Sequence, residues 1–178
     1  AYLTNGLNNH GFETKLISGN IDENEKNGEY ILIENNVKVT YVKSMYRKIS
    51  IIRDIKSYFQ IKKIIKEYQP DIVHTHAAKS GVIGRLAAIL SNVPIIIHTF
   101  HGHTFHSYFN KFKTYIFIMI EKFLASKSTK IIAISNLQKL DLIKYKICEP
   151  KKISVINLGF DLKKFSQNTA VKRKIFRD

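Results

Sequence analysis

The sequence predicts an α/β protein built on a Rossmann-like, doubly wound and mostly parallel sheet. Three observations carry that expectation. From residue 70 onward, short strand-like apolar segments alternate with helical segments of about 10 to 15 residues, the pattern made when helices bridge parallel strands. A chain of 178 residues with 44% apolar content can bury one substantial core. Several of the expected strands end in polar residues, as they do where a ligand binds outside the carboxyl edge of a parallel sheet.

The elements follow in chain order. Ala1-Tyr2-Leu3-Thr4-Asn5-Gly6-Leu7 is helix-like, His10-Gly11 stops it, and residues 12–18 alternate as a strand. The polar run 19–29 reads as a loop. Residues 30–34 and 37–42 read as two short strands around Asn35-Asn36, a possible hairpin excursion. After Ser50, a plausible N-cap, Ile51, Ile55, Tyr58, Phe59, Ile61, Ile65 and Tyr68 recur at helical spacing until Pro70. Beyond it the order is strand 71–76, helix 80–91, strand 94–100, helix 111–125, strand 129–135, helix 136–145 and strand 152–157. The tail after Phe165 is basic and weakly patterned, as a linker would be. The absence of an initial Met and the abrupt helical opening read as a fragment.

Composition excludes several classes. The single cysteine, Cys148, cannot make an intramolecular disulfide framework and fits a reducing compartment. No run approaches the roughly 18 to 20 apolar residues of a membrane span, and no basic region followed by an apolar core opens the chain. A cytoplasmic protein, peripheral on the inner face of the membrane at most, is the expectation. The net charge of +15 points toward a polyanion, but part of it follows from a composition crowded with Ile, Lys and Asn. Its distribution is uneven. Residues 1–30 are acidic, whereas residues 43–66 carry Lys43, Arg47, Lys48, Arg53, Lys56, Lys62, Lys63 and Lys66 against Asp54 alone.

Three strand ends collect polar groups on one rim: His74-Thr75-His76, His98-Thr99-Phe100-His101-Gly102-His103, and Ser135-Asn136. Together with Gly81 and its Ala-rich helix, Ile132-Ala133-Ile134-Ser135, and Leu158-Gly159-Phe160-Asp161 with Phe165, these residues resemble the N-terminal, acceptor-side half of GT-B glycosyltransferases of family 4. The resemblance covers residues 1–165 and rests on the ordered set, since no single piece is specific. It implies a retaining transfer from a nucleotide-sugar, usually without a metal and with no resident cofactor, to a glycan or lipid-linked acceptor of bacterial surface polysaccharide. His101 would lie against the donor sugar as the catalytic residue. His74, His76, Gly102 and Ser135 would contact substrate, one of the two strand histidines being expected to turn into the sheet packing. Gly159, Asp161 and Phe165 would form the hinge.

Two features depart from the family pattern. The glycine-rich loop after the first strand would precede Ala1, and the Asn of the Asn-Gly-x-Asp signature is displaced to Asn157. The organisation implied is a domain over 1–158 lacking its first strand, and a hinge over 159–178 leading to a donor-binding domain that would hold the paired glutamates. The fragment alone is then expected to be inactive. Two other classes compete. A metal-dependent hydrolase could use His74/His76 and His101/His103, imidazole being a zinc ligand, but no carboxylate follows either pair closely. A polyanion-binding module could use the basic helix 50–69 and the tail, but an aromatic stacking signature or helix-turn-helix pattern is missing, and nucleic acid is not the expected partner. Residues 105–119 combine aromatic, apolar and basic side chains, which suits an anionic membrane surface.

Overall fold

The computed structural model describes residues 2–20, 29–102 and 111–159, together with Arg173 and Arg177. Among these, α1 (Tyr2–Asn8) leads to β1 (Leu16–Gly19), α2 (Glu29–Glu34) to β2 (Val39–Val42), and α3 (Ile51–Tyr68) to β3 (Ile72–His76). Then α4 (Ala78–Ile89), β4 (Ile95–Phe100), α5 (Lys111–Lys127), β5 (Lys130–Ala133), α6 (Asn136–Lys144) and β6 (Ile153–Val155) alternate to the end. All the pairings are parallel: β1 lies beside β2, and β3, β4, β5 and β6 are neighbours in chain order. The α/β, Rossmann-like expectation is met, with one helix bridging each parallel step.

The first quarter differs from the sequence reading. Residues 30–34, expected as a strand, lie in α2. Tyr30-Ile31-Leu32-Ile33 is a continuous apolar run, and periodicity cannot distinguish a short buried strand from a turn of helix in such a run. The Asn35-Asn36 turn is real but ends a helix: Asn36 adopts φ 50°, and the Val37 amide donates to the Leu32 carbonyl at 2.9 Å. The excursion is therefore a β1-α2-β2 unit with parallel strands, and no hairpin forms. β1 is shorter than expected. α4 opens at Ala78, two residues before the expected start.

Alternation along the strands sorts side chains onto two faces. Thr75, Ile96, His98 and Phe100 share the face against which α4 packs, and all four are buried. Small residues in α4 permit that approach: a Cβ on Gly84 would come within 2.9 Å of the Thr75 methyl, and one on Gly81 within 2.5 Å of the His98 ring. One core cluster joins Val42, Ile61, Ile65, Ala87, Ala88 and Ile96, tying β2 and α3 to α4 and β4. A second joins Phe100, Ala125, Ile131, Ala133, Leu142 and Ile153. Each fully buried Ile or Leu contributes roughly 1.5 to 3 kcal/mol. Between α4 and α5, Arg85 donates to both carboxylate oxygens of Glu121 at 2.7 and 2.9 Å and, through Nε, to the Gly81 carbonyl. Neither side chain meets solvent appreciably.

Candidate functional site

At the carboxyl edge of β3 and β4, three imidazoles converge. His76 and His101 face each other at 2.9 Å between Nδ1 and Nε2, and His74 Nε2 lies 2.8 Å from the Thr99 hydroxyl. Ring centroids are 4.3 Å apart for His74 and His76, and 5.1 Å for His76 and His101. The expectation that one of His74 and His76 turns into the sheet packing is corrected. They are two residues apart, so period-two alternation places both on the same face; it is Thr75, between them, that points toward α4.

The contact between His76 and His101 has an electrostatic consequence. One nitrogen must present a proton and the other a lone pair, so the contact cannot hold two protonated rings without repulsion. Burial, helped by the neighbouring His74 and His101, lowers the His76 pKa to about 4. Burial and then His101 lower that of His74 as well. Both are neutral hydrogen-bonding groups at physiological pH.

The chain is strained where it leaves this edge. Ala77, immediately after His76, adopts φ 60° and ψ 169°, a region populated almost entirely by glycine and costing a residue with a Cβ about 1 to 3 kcal/mol. The next residues anchor it. Ser80 donates to the His76 carbonyl at 2.6 Å, and Lys79 pairs with Asp54 while donating to the carbonyls of Tyr46 and Lys48. The loop before α3 is thereby tied to the β3 edge.

Ser135 and Gly102 reach the same edge through a residue that the sequence reading missed. Gln138, 3% exposed, donates from Nε2 to the Gly102 carbonyl at 2.9 Å and accepts at Oε1 from the Ile134 amide at 2.8 Å. Its own amide donates to the Ser135 hydroxyl, which caps α6. Gln138 thus clamps the loop carrying His101 to the β5–α6 turn. A lone Gln in an amphipathic helix gives no sequence signal for this, because its partners lie up to 36 residues away. Gly102 has open space where a Cβ would stand, as does Gly159. His103, Phe105 to Asn110, Asp161, Phe165 and, apart from Arg173 and Arg177, the tail expected to leave the core lie outside the described residues.

His98 belongs to the other side. It is 1% exposed, its Nδ1 lies 2.9 Å from the Thr75 hydroxyl, and burial followed by the Arg85 charge lowers its pKa to about 2. Since that hydroxyl donates to the Ile97 carbonyl, the ring nitrogen is the donor. This is a structural histidine. Among the described residues, no three His, Cys, Asp or Glu side chains are arranged to hold a metal ion. No described helix is long and apolar enough to cross a membrane.

A family model, Glycosyltransferase Family 4, matches residues 1–164. Over 134 residues the chain is 40% identical to the UDP-Gal:alpha-D-GlcNAc-diphosphoundecaprenol alpha-1,3-galactosyltransferase of Escherichia coli, covering 75% of this chain and 35% of that protein. It is 30% identical over 122 residues to the capsular polysaccharide biosynthesis glycosyltransferase CapM of Staphylococcus aureus, covering 68% and 32%. The chain spans about a third of the length of these relatives. Among solved structures, a glycosyltransferase from Rickettsia africae matches with TM-score 0.64 at 23% identity, covering 98% of this chain and 43% of that one. MurG of Acinetobacter baumannii matches with TM-score 0.59 at 11% identity, covering 91% and 42%. These structural likenesses are of fold: the Rossmann-like half of a GT-B architecture.

Proposed function

The chain belongs to glycosyltransferase family 4, and on that premise we propose that it is the acceptor-side part of an enzyme that moves a sugar, with retention, from a nucleotide-sugar to a lipid-linked or glycan acceptor in bacterial surface-polysaccharide synthesis. The observation that carries this reading is the cluster of His74, His76 and His101 at the carboxyl edge of a parallel sheet, where such folds bind ligands. The contact with His76 occupies Nε2 of His101 and leaves Nδ1 for the substrate. A sugar hydroxyl both donates and accepts, so either tautomer of His101 can orient it. The two relatives named above support the acceptor class, one acting on a diphosphoundecaprenol-linked sugar and the other in capsular polysaccharide biosynthesis.

In this reading residues 1–158 form one domain and 159–178 lead toward a donor-binding domain. A further parallel strand between β1 and β3, supplied from outside residues 1–178, would merge the two sheets into the strand order of doubly wound folds. The enzyme works without a resident metal, from the cytoplasmic side, as a peripheral membrane protein.

The test is transfer by the complete enzyme to a diphosphate-lipid-linked sugar, with product stereochemistry read by NMR. His101→Ala should lower kcat by roughly 10² or more, about 3 kcal/mol of barrier, with nucleotide binding retained. His103→Ala should cost much less, and a chelator should change nothing. Equal losses from both substitutions together with chelator sensitivity would move the assignment to a metal-dependent hydrolase. Near wild-type turnover by His101→Ala would remove the catalytic role.

A further inference from the structure

His101 stands one residue beyond the ladder that leads to it. The last pairing between β4 and β5 is Phe100 with Ala133, and past it the chain carries the exposed His101 and Gly102 on one side and Ile134 on the other. The Gln138 side chain spans this opening. Its Nε2 donates to the Gly102 carbonyl at 2.9 Å, and its Oε1 accepts from the Ile134 amide at 2.8 Å. A primary amide presents the same donor and acceptor as a peptide group, so this side chain supplies one more rung where the two backbones have parted.

The position needs an amide. A carboxylate would keep the acceptor for Ile134 but turn an oxygen toward the Gly102 carbonyl, and an apolar side chain would supply neither group. Gln138 is 3% exposed, so its effect on a ligand must pass through the loop that it holds. The cap of α6 is a separate matter: the backbone amide of residue 138 donates to the Ser135 hydroxyl, whatever side chain it carries. On its other side His101 meets His76, ring nitrogen to ring nitrogen, at 2.9 Å. The histidine is thus held twice, by its ring and by the carbonyl of the next residue.

We propose that Gln138 is a positioning residue, which fixes the loop after β4 so that the His101 ring rests on His76 with its other nitrogen toward the sugar hydroxyl. The inference deepens the transferase reading given above and rests on it. Without the clamp, rotation about the backbone between Phe100 and Gly102 would carry the ring off His76 while the fold stayed intact. A misplacement of about 1 Å at a reacting group can cost about 10²-fold in rate, so a bond to the neighbouring carbonyl is enough to matter.

The experiment replaces this side chain in the complete enzyme. Gln138→Met should lower kcat about tenfold or more, with the KM for the nucleotide-sugar changed less than about twofold and circular dichroism unchanged. Gln138→Glu should lose as much at about pH 8.5, where a carboxylate cannot donate, and should recover as pH falls, because the protonated acid donates to Gly102 through its O–H. Each value is taken relative to wild type at the same pH, which removes the pH dependence of the site histidines themselves. In a His101→Ala background neither substitution should lower kcat by more than about twofold, since the effect runs through that ring. Ring-nitrogen NMR of His101 needs no substrate: the Nε2 signal should report the contact with His76 in wild type and move toward that of free imidazole in Gln138→Met. An unchanged ring signal, a Gln138→Glu enzyme equal to wild type at every pH, or an equal loss in the His101→Ala background would each overturn the proposal. A ring signal that moves while kcat does not would uphold the clamp and count against His101 as the group that meets the sugar, so the two failures are told apart.

Discussion

The two faces of β3 and β4 carry histidines one position apart and treat them oppositely. On the α4 side His98 is sealed, donates to Thr75, and sits where Gly81 leaves room for its ring and nothing more. Across the sheet, His74 and His76 are partly exposed and stacked at 4.3 Å, with His76 reaching His101 on the neighbouring loop. One side locks an imidazole into packing; the other lines imidazoles along an edge that a ligand can reach. Residue type alone therefore does not separate a structural histidine from a functional one. The separation comes from which helix covers the face, and α4 covers only one.

If the covered face carries stability and the open edge carries chemistry, the largest effect on folding should come from the ion pair beneath the covered face. Glu121→Ala leaves Arg85 buried with no carboxylate, and breaking one partner of such a pair costs about 3 to 5 kcal/mol. Urea denaturation should show that loss. Replacing both residues, as Arg85→Met with Glu121→Leu, should recover most of it, because the cost lies in the orphaned charge. If Glu121→Ala is nearly neutral, α4 and α5 are held by something other than this pair.

A pH series sharpens the comparison. His98 and His76 have folded-state pKa values lowered to about 2 and about 4, below the ordinary 6.5 of an unfolded chain. Protonation thus favours the unfolded chain. Their contribution to stability is fully present above pH 6.5 and is lost as pH falls, down to about 4 for His76 and about 2 for His98. Denaturation midpoints should fall steadily from pH 7 to pH 4. Between about pH 6.5 and 4 both His98→Gln and His76→Gln should flatten that fall, and below pH 4, down to about 2, only His98→Gln should. A wild-type curve that does not move across this interval would mean that the covered histidine is not neutral and sealed as described.

The open edge is legible in sequence because strand ends are: the hydrophobic runs 72–73 and 95–97 give way to His74-Thr75-His76 and to His98-Thr99-Phe100-His101, and a parallel sheet gathers such ends on one side. The shared face of His74 and His76 is also implied by period two, and needs only the count of two residues between them. The covered face is not legible in the same way. That Arg85 meets Glu121, that Gly81 clears His98, and that Gln138 holds Gly102 are all pairings across 17 to 36 positions, set by how α4, α5 and α6 dock. The apolar run at 30–33 fails for a different reason, since it satisfies helix and strand patterns equally and only its Asn36 cap decides. Helix α3 is visible in sequence as helical periodicity, yet which of its isoleucines face the core is decided by α4.

Ser135 stands between the two kinds of position, and its replacement should give the smallest effect. Its hydroxyl accepts from the Gln138 amide at 3.2 Å, the bond that starts α6, and an N-cap hydroxyl of this kind is worth about 1 kcal/mol. One hydroxyl proton remains for a substrate oxygen. Ser135→Ala removes both functions, whereas Ser135→Asp keeps the capping acceptor and removes the donor. Ser135→Ala should therefore lower stability by about 1 kcal/mol, and Ser135→Asp should restore it. In the complete enzyme both should raise the acceptor KM by about fivefold, the worth of one hydrogen bond, while kcat changes little. If Ser135→Asp restores KM along with stability, the hydroxyl is a helix cap alone, and the substrate contact at this edge narrows to the histidines.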